Sequence, residues 1–556
     1  MSAAPNVNSA VAPAAAAAAE PAQPANTVAH VQGAQQEVKP PKITTLTLCD
    51  FRAFAGPEPV TFHLNSKNLL IYGENGAGKS SVYHALDGFF SGPEVPRNDR
   101  LSRIEKNKNV FSKQHDDNAW VGVTFDEDAA MTVWNNRSHP TDSDISSRDD
   151  RVVGASKSKA ILDYKSLLET NFVHRDLEVN LFDLCVRSVL RDYPVSRNGQ
   201  DDDLLNLWSA IRSEAKADST LPARKLGKTQ LANVNQWTAD FNLAIRTALE
   251  QLTPEINRFL SLLKQGNLEL KGWQLPGVTY NPIGSKRGHH FDGCILSPEV
   301  EFNGWPLTAP QTFLNEARLT ALGLAIYFAG RKICAATLQS DTPRIMVLDD
   351  VLIGMDQSNR LPVIDILADE FSDWQIVLLT HDRTWFEIAR TYQRQHRADK
   401  FWNYVRIHSE GDPARAPSVM SVSSSAASDA VQTAERFLQE GHLNAAANYS
   451  RIAAETALRE YCEGKKLPIG YRQQPDKTPF SELLSAAKVS SAANNSGKYD
   501  SVLASIEEFT NILLNPLSHG GVNNLTAHEV HRAIVEVEKL LFSLKVAPYG
   551  AKPIFS

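Results

Sequence analysis

The feature that most constrains the fold is a glycine-rich segment, Gly73-Glu-Asn-Gly-Ala-Gly-Lys-Ser80, between a predicted strand and a predicted helix. It fits the P-loop pattern GxxxxGK[ST] in the strand–loop–helix context that the motif requires. Glycines let successive backbone N–H groups curl around phosphate oxygens, and the start of the helix adds positive potential. Lys79 can then reach the β- and γ-phosphates, and the Ser80 hydroxyl can ligate Mg²⁺. The segment therefore predicts an α/β fold that binds a nucleoside triphosphate.

Two later apolar runs end in polar residues that suit the same site. One run leads into Asp349 and Asp350, and the other leads into His381. Because ligands of parallel sheets collect at the carboxyl ends of the strands, these side chains should face the P-loop. We expect Asp349 to hold Mg²⁺ and Asp350 to orient or deprotonate the attacking water. His381 is expected to contact the γ-phosphate.

The net charge, the cysteines and the apolar runs exclude several classes of protein and indicate a cellular compartment. The 57 Lys and Arg against 64 Asp and Glu give a net charge of −7, which excludes a uniformly basic nucleic-acid coat but allows a local basic groove. The five cysteines include no CxxC pair, so no cysteine zinc site is expected, and their usage fits a reducing cytoplasm. No apolar run approaches the roughly 18 residues of a membrane span. We therefore expect a cytoplasmic protein without membrane association.

Shifts in composition divide the chain into parts: a disordered Ala/Pro-rich arm at 1–40, a head at 41–409 with a helical insertion at about 204–265, a linker at 410–429, and a C-terminal helical domain at 430–556. Within the head, residues 160–192 are expected to be helical. Residues 312–336 are expected to form one uninterrupted helix.

The order of these motifs resembles that of SMC/RecF-like ATPases, the ABC-type head class that includes DNA-repair ATPases. The resemblance covers about residues 42–408. Five segments carry it, in the positions of the family's NFRxF strand, P-loop, signature helix, D-loop and switch histidine: Thr47–Phe54, Gly73–Ser80, Leu314–Leu319, Gly354–Asp356 and His381. It implies an α/β fold class, an ABC/SMC-type P-loop ATPase head with a short helical insertion, to which the periodicity adds a C-terminal all-α bundle.

In that family two heads sandwich ATP, and the signature of one head contacts the γ-phosphate held by the other. The resemblance therefore implies ATP and Mg²⁺, and a homodimer or higher oligomer through ATP-sandwiched heads. It assigns catalysis to Asp350 and His381, and metal binding to Ser80 and Asp349. The implied nucleotide-binding residues are Arg52, Gly73, Asn75, Gly76, Gly78, Lys79, Ser80, Ser81, Asn315 and Asp356, with Asn315 acting in trans. His174 is a candidate for the Q-loop.

Three departures from the family pattern bear on these assignments. Glu316 and Ala317 replace glycines of the signature, which changes the contact made in trans. Asp350 replaces the usual Glu and is one methylene shorter, which predicts slow hydrolysis. The insertion is tens of residues long rather than hundreds, so long-armed DNA tethering is not expected.

Within the class, the signature helix, the LDDVLIGMD segment and the helical C-terminal domain resemble the ATPases of bacterial anti-phage systems, in particular PtuA of Septu and of retron-associated modules. This implies an ATP-hydrolysing regulatory subunit of an antiviral defence system that controls a partner nuclease or toxin. The implied partner is a nuclease of the HNH type, and a retron reverse transcriptase with its msDNA is a further candidate. The sequence itself shows no HNH cluster, HExxH motif or acidic trio of a nuclease.

Two alternatives stay open. One is a RecF-like DNA-repair ATPase, for which the basic stretches Arg383–Arg397 and Arg224–Lys228 would matter, although a solvated surface explains them more simply. The other is an ATP-switched ribonuclease toxin, because Leu514–Gly520 resembles the RNxxxH element of HEPN-type ribonucleases. Leu514 occupies the Arg position of that element, so a degenerate HEPN-like bundle used for docking is favoured, with His519 as a packing residue.

Overall fold

A computed structural model of the chain describes residues 39–94, 103–111, 119–126, 130–135, 149–164, 167, 179–217, 226–281, 290–336, 338–339, 341–396, 401–409, 411–422, 425–470, 478–494, 497, 499–510 and 525–544. The expected arm at 1–40 therefore lies almost wholly outside the described residues. Among the described helices, none combines the length and the apolar character that a membrane crossing requires.

The strands follow one another in this order: β1 (Ile43–Cys49), β2 (Val60–His63), β3 (Asn68–Gly73), β4 (Trp120–Phe125), β5 (Thr132–Asn135), β6 (Ala160–Asp163), β7 (Pro194–Arg197), β8 (Gln200–Asp203), β9 (Leu268–Gln274), β10 (Thr279–Asn281), β11 (His290–Asp292), β12 (Ser297–Phe302), β13 (Trp305–Leu307), β14 (Ile345–Asp349), β15 (Gln375–Thr380), β16 (Trp402–His408) and β17 (Ser418–Val422).

The helices longer than one or two turns are α1 (Lys79–Ser91), α2 (Asp150–Ser158), α3 (Leu204–Glu214), α4 (Lys228–Leu262), α5 (Glu316–Ala335), α6 (Gln357–Asp369), α7 (Arg383–His396), α8 (Ala426–Gln439), α9 (Leu443–Gly464), α10 (Phe480–Asn494), α11 (Asp500–Phe509) and α12 (Ala527–Leu544). Shorter helical segments lie at Phe182–Leu184, Cys185–Val189 and Pro310–Phe313.

A six-stranded sheet in the order β17-β16-β3-β15-β14-β6 lies at the centre of the head. All neighbours are parallel except β17, which pairs antiparallel with β16 at one edge. The register places Asp349 of β14 beside Leu379 of β15, and Thr380 beside Tyr72 of β3. Because parallel strands end at the same edge of a sheet, the P-loop, the paired carboxylates and His381 come together there, as the sequence predicts.

Alternation along these strands feeds two separate cores. Leu69 and Ile71 of β3 face a core shared with α1 and with the antiparallel sheet β2-β1-β4-β5. Leu70 and Tyr72 face the opposite core, which is shared with α4, α5, α6 and α7. Strands that are apolar on both faces are typical of a parallel sheet covered on both sides. The buried residues of β3 thereby hold the strand in the sheet as far as Gly73, where the P-loop begins.

The insertion is partly as predicted. Residues 204–265 contain α3 and the 35-residue α4, in agreement with the expected helical segment. The chain then forms the antiparallel sheet β13-β12-β9 and the hairpin β10-β11. Short strands such as Thr279–Asn281 carry too few residues for a periodicity to be recognised.

Two helix predictions in the head are wrong in part. Residues 160–163 form β6, the edge strand next to β14, instead of the start of a helix. Four residues of the sequence AILD are compatible with either state, and pairing with β14 decides between them. The helix expected at 312–336 is interrupted at Leu314 and Asn315, and α5 begins at Glu316 because Asn315 takes the N-cap position.

The C-terminal helices α8–α12 enclose a third core and belong with the head to one unit, Pro40–Ser556. The segment 410–429, expected to be a linker, contains strand β17 and the first residues of α8. Ion pairs connect α7 of the head to this region: Arg390 with Asp429 (2.5 Å) and Arg394 with Glu460 (3.6 Å). Part of the basic stretch on α7 therefore contacts acidic residues of the same chain.

Candidate nucleotide-binding site

The loop between β3 and α1 has the backbone that the P-loop motif predicts. Gly76 and Gly78 have φ angles of +85° and +106°, a region that side chains rarely adopt. A Cβ at Gly78 would also lie 3.2 Å from the Cβ of Ala53. The turn thus requires glycine at both positions, and the close approach of Ala53 requires it at Gly78 as well.

Lys79 is buried at the base of this loop. Its Nζ donates hydrogen bonds to the carbonyl oxygens of Gly73 (2.8 Å) and Glu74 (3.2 Å). Burial lowers the pKa of the Lys79 ammonium, while the nearby carboxylates of Asp350 and Asp349 raise it. The ammonium is therefore fixed between the loop carbonyls and two acids, where a phosphate oxygen can take up part of its charge.

Ser80 and Asp349 form the side of the site that could hold a metal ion. The Ser80 hydroxyl donates to Asp349 Oδ2 at 3.0 Å, and Asp349 Oδ1 is buried without a hydrogen-bond partner. Burial is the largest cause that raises the pKa of Asp349, and the charge of Asp350 raises it further. The hydrogen bond from Ser80 and the charge of Lys79 lower this pKa, and the net result is a pKa of about 6. A hydroxyl and a carboxylate are the oxygen ligands that Mg²⁺ takes beside phosphates and water. The orphaned carboxylate oxygen therefore fits Mg²⁺.

Asp350 and His381 form a pair next to this metal side. Asp350 Oδ1 accepts a hydrogen bond from the backbone N–H of His381 (2.9 Å). The same oxygen also lies 2.9 Å from Nδ1 of the His381 ring. Asp350 has a φ of +55°, a conformation that Asp tolerates better than most residues. Its own backbone N–H donates to the carbonyl of Leu379 (3.1 Å). Asp350 thus lines the cavity, and its Oδ2, which takes part in neither contact with His381, is available to a water molecule.

Arg52 enters the cavity from the turn after β1. Its Nη1 donates to Asn107 Oδ1 (2.8 Å), its backbone N–H donates to the Asn107 carbonyl (2.6 Å), and its φ is +51°. The Ser81 hydroxyl accepts a hydrogen bond from the backbone N–H of Ala53 (3.2 Å) and so holds the same turn. The cavity measures about 580 Å³. Its size and its positive lining suit a nucleoside triphosphate.

The RecF/RecN/SMC N terminal domain matches residues 42–400, well over half of the chain, including the P-loop, Asp349, Asp350 and His381. This chain belongs to the RecF/RecN/SMC family. The expected fold class is thereby confirmed: the chain is an SMC/RecF-type ATPase head of α/β architecture, followed by a helical C-terminal region.

Solved structures of SMC and RecF proteins are similar to this RecF/RecN/SMC head. The Smc head domain with an extended coiled coil bound to the C-terminal domain of ScpA, derived from Pyrococcus furiosus, is 15% identical with a TM-score of 0.39 and covers 72% of this chain and 100% of its own. The recombination mediator protein RecF with ATPrS in the RecFOR pathway is 11% identical with a TM-score of 0.40 over 69% of this chain and 99% of its own.

The SMC head domain from Thermotoga maritima is 15% identical with a TM-score of 0.33, over 68% of this chain and 99% of its own. No curated protein matches the sequence.

The RecF/RecN/SMC head brings most of the predicted site residues to one cavity. Those that line it are Arg52, Asn75, Gly76, Gly78, Lys79, Ser80, Ser81 and Asp350. Three others reach it through a neighbour: Gly73 through Lys79, Asp349 through Ser80, and His381 through Asp350. Asn315 and Asp356 are not among its lining residues.

The segments in the positions of the family's signature and D-loop, Leu314–Leu319 and Gly354–Asp356, lie side by side. The side chain of Asn315 accepts a hydrogen bond from a backbone N–H of the first turn of α5 (3.1 Å). A Cβ at Gly354 would lie 2.5 Å from Thr320 Oγ1 and 3.1 Å from Glu316 Cγ. Glu316, which replaces a glycine of the signature, thus packs against the D-loop.

Sequence reasoning missed several residues of the cavity. Asn107 and Asn109 position Arg52 and the segment Lys106–Phe111, and the loop Gly411–Pro417 forms another wall. The sequence KNKN around Asn107 matches no nucleotide-binding motif, and the loop Gly411–Pro417 falls within the segment expected to be a linker.

Other predicted residues lie outside the described part of the chain. They are His174, the segment Leu514–Gly520 with His519, the first two residues of the basic stretch that starts at Arg224, and Arg397 at the end of the other basic stretch.

Proposed function

We propose that this chain binds ATP with Mg²⁺ at the P-loop and hydrolyses it slowly. The observation that carries the proposal is the contact of Ser80 with Asp349, whose other carboxylate oxygen is buried and unpartnered, next to the Asp350–His381 pair. A P-loop hydroxyl, a strand-end acid and a second acid that reaches the cavity are the parts that hydrolysis of a nucleoside triphosphate requires.

Each residue has a distinct task in this reaction. The P-loop N–H groups and Lys79 bind the phosphates, while Ser80 and Asp349 hold Mg²⁺. When it is bound, Mg²⁺ neutralises charge on the phosphate oxygens. Asp350 accepts the proton of the attacking water through Oδ2, and His381 keeps the carboxylate oriented through Oδ1. Because Asp has a shorter reach than Glu, the water is held less closely, and slow turnover follows.

Removal of the Lys79 ammonium tests the proposal. Lys79→Ala should abolish MgATP binding in calorimetry and phosphate release in a steady-state assay. Lys332→Ala, which removes an ammonium paired with Glu370 outside the cavity, serves as the control and should retain both activities. Phosphate release by Lys79→Ala at the wild-type rate would contradict the proposal.

The proposed active form is a homodimer or higher oligomer in which ATP lies between two heads. Support comes from Asn315 and Asp356, which do not line the cavity of their own chain and lie on elements that pack together. Sedimentation of the wild-type protein with a non-hydrolysable ATP analogue should show association, and sedimentation with ADP should not. Association that is equal in both nucleotides would contradict this arrangement.

The proposed biological role is regulation of a partner nuclease or toxin in bacterial antiviral defence. Support comes from the motif resemblance and from helix α7, which starts two residues after His381 and pairs through Arg390 with the C-terminal bundle. A change at the ATP site can thereby reach the C-terminal bundle. Expression of the tagged chain from its native operon should yield a complex with a neighbouring nuclease. A chain that purifies alone would contradict this role.

Two measurements separate the alternative functions. ATP hydrolysis that is stimulated by DNA, with DNA binding that weakens steeply with salt, would favour a RecF-like repair ATPase. RNA cleavage that is lost in His519→Ala would favour an ATP-switched ribonuclease toxin.

A further inference from the structure

The nucleotide cavity extends beyond the P-loop. Besides the phosphate-binding residues, it is lined by the segment Lys106–Phe111 and by the loop Gly411–Pro417. Neither belongs to the strand–loop–helix unit that binds phosphate. A triphosphate held on the P-loop therefore leaves these two walls for the ribose and the base.

The first wall presents apolar side chains to the cavity. Both line the cavity, and Val110 is 85% exposed and Phe111 is 55% exposed. An aromatic face that is open at the side of a cavity is suited to stacking a base.

Hydrogen bonds hold this wall in position. Asn109 is buried, and its Nδ2 donates to the carbonyl of Arg52 at 2.6 Å. Its Oδ1 accepts a hydrogen bond from the backbone N–H of Phe111 at 2.8 Å. Because the backbone of Phe111 is already ordered, stacking a base on its ring does not have to order that backbone.

The opposite wall is joined to the first. Asn109 Nδ2 also lies 3.4 Å from the carbonyl oxygen of Pro413, and a Cβ at Gly78 would lie 3.4 Å from Pro417 Cγ. The charged residues that line the whole cavity are five cations, Arg52, Lys79, Lys106, Lys108 and Arg415, against two acids, Asp350 and Asp412. This excess suits an anionic ligand that carries an apolar ring.

We propose that Phe111 is the base-stacking residue of this site and that the base and ribose of the bound nucleotide lie between Phe111 and the loop Gly411–Pro417. This inference rests on the proposed binding of ATP at the P-loop. The loop continues into β17 and then α8, so the nucleotide contacts the segment that leads to the C-terminal bundle.

The test compares two ligands that share the phosphate chain, with the full-length protein throughout. Calorimetry measures the affinity of wild type, Phe111→Ala and Phe401→Ala for MgATP and for inorganic tripolyphosphate with Mg²⁺. Phe401 is a matched control because it is 58% exposed and does not line the cavity. Phe111→Ala should weaken MgATP binding by about tenfold or more, the loss typical of one stacked base. Its affinity for tripolyphosphate should stay at the wild-type value, and Phe401→Ala should change neither.

Three results would overturn the inference while leaving the phosphate site intact: unchanged MgATP affinity in Phe111→Ala, an equal loss for both ligands, or a wild type that binds MgATP no better than tripolyphosphate. A wild type that binds neither ligand would instead show that the proposed function fails, and the inference with it.

Discussion

The guanidinium of Arg360 donates to Asp382 Oδ2 at 2.7 Å, directly after His381 in the chain. The same side chain donates through Nε to the carbonyl of Met355 at 2.7 Å. Its guanidinium also lies over the ring of Trp385, at 5.9 Å. One arginine of α6 therefore connects the D-loop to the strand end that carries His381.

Replacement of Arg360 should impair hydrolysis more than ATP binding. In Arg360→Gln the D-loop and the His381 segment lose their shared donor, so we expect kcat to fall by about tenfold while KM for ATP changes little. Steady-state phosphate release checks this split. Arg258→Gln is the control, because Arg258 also forms an ion pair with a carboxylate, that of Glu370, and does not line the cavity. An equal fall of kcat in both variants would show that Arg360 affects hydrolysis only through the overall stability of the protein.

His381→Ala should retain MgATP binding and reduce turnover. The variant removes the Nδ1 contact with Asp350 and keeps the backbone N–H that donates to the same oxygen. The carboxylate then loses part of its orientation, for which we expect a fall in kcat of roughly 10- to 100-fold. Quenched-flow measurement of the chemical step checks this value. Wild-type turnover in the variant would show that His381 takes no part in catalysis.

The pair between Arg390 and Asp429 should stabilise the junction of the head with the C-terminal bundle. Arg390 is only 10% exposed and also pairs with Glu387 (3.0 Å), so the loss of Asp429 leaves a poorly solvated guanidinium with one partner fewer. Asp429→Asn should lower the free energy of unfolding by about 1.5–3 kcal/mol, measured by urea denaturation. In a double-mutant cycle, Arg390→Gln combined with Asp429→Asn should cost less than the sum of the single variants. Strict additivity would show that the pair contributes nothing.

The C-terminal bundle should become less stable as the pH rises from mildly acidic to neutral. Burial raises the pKa of Glu435 on α8, and burial together with the charge of Glu435 raises the pKa of Glu538 on α12. The folded state therefore binds more protons than the unfolded state above the ordinary value of 4.5, and the free energy of unfolding falls as pH rises through the raised values.

Glu435→Gln should remove much of this pH dependence and raise the melting temperature at neutral pH. Differential scanning calorimetry between mildly acidic and neutral pH measures both effects. Glu440→Gln, on the exposed end of the same helix segment, should leave the slope unchanged. A slope that is identical in wild type and Glu435→Gln would contradict the assignment to this carboxyl pair.

The parts of the site that could be predicted from the sequence are those whose signal is local. The P-loop glycines, Asp349 and Asp350 stand in short motifs next to strongly apolar strands, and parallel pairing necessarily brings such strand ends together. The same holds for the cores of β3, β14 and β15, where four or more consecutive apolar residues mark a buried strand.

The remaining parts depend on contacts between distant segments. Asn109 contacts Arg52 and Pro413, which are 57 and 304 residues away in the chain, and no pattern within KNKN indicates this. Strand β6 and strand β17 were not predicted because an edge strand of four or five residues takes its state from its neighbour. The break before α5 depends on the side chain of Asn315, which caps the helix instead of continuing it.

Phosphate release by Asp350→Asn, with MgATP affinity measured on the same sample, decides whether this cavity hydrolyses ATP with Asp350 as its base. The substitution keeps the size of the side chain and removes the carboxylate that accepts a proton from water. We expect MgATP binding close to that of the wild type and phosphate release reduced by about 100-fold or more. Release at the wild-type rate, with ATP bound as tightly as before, would contradict this expectation.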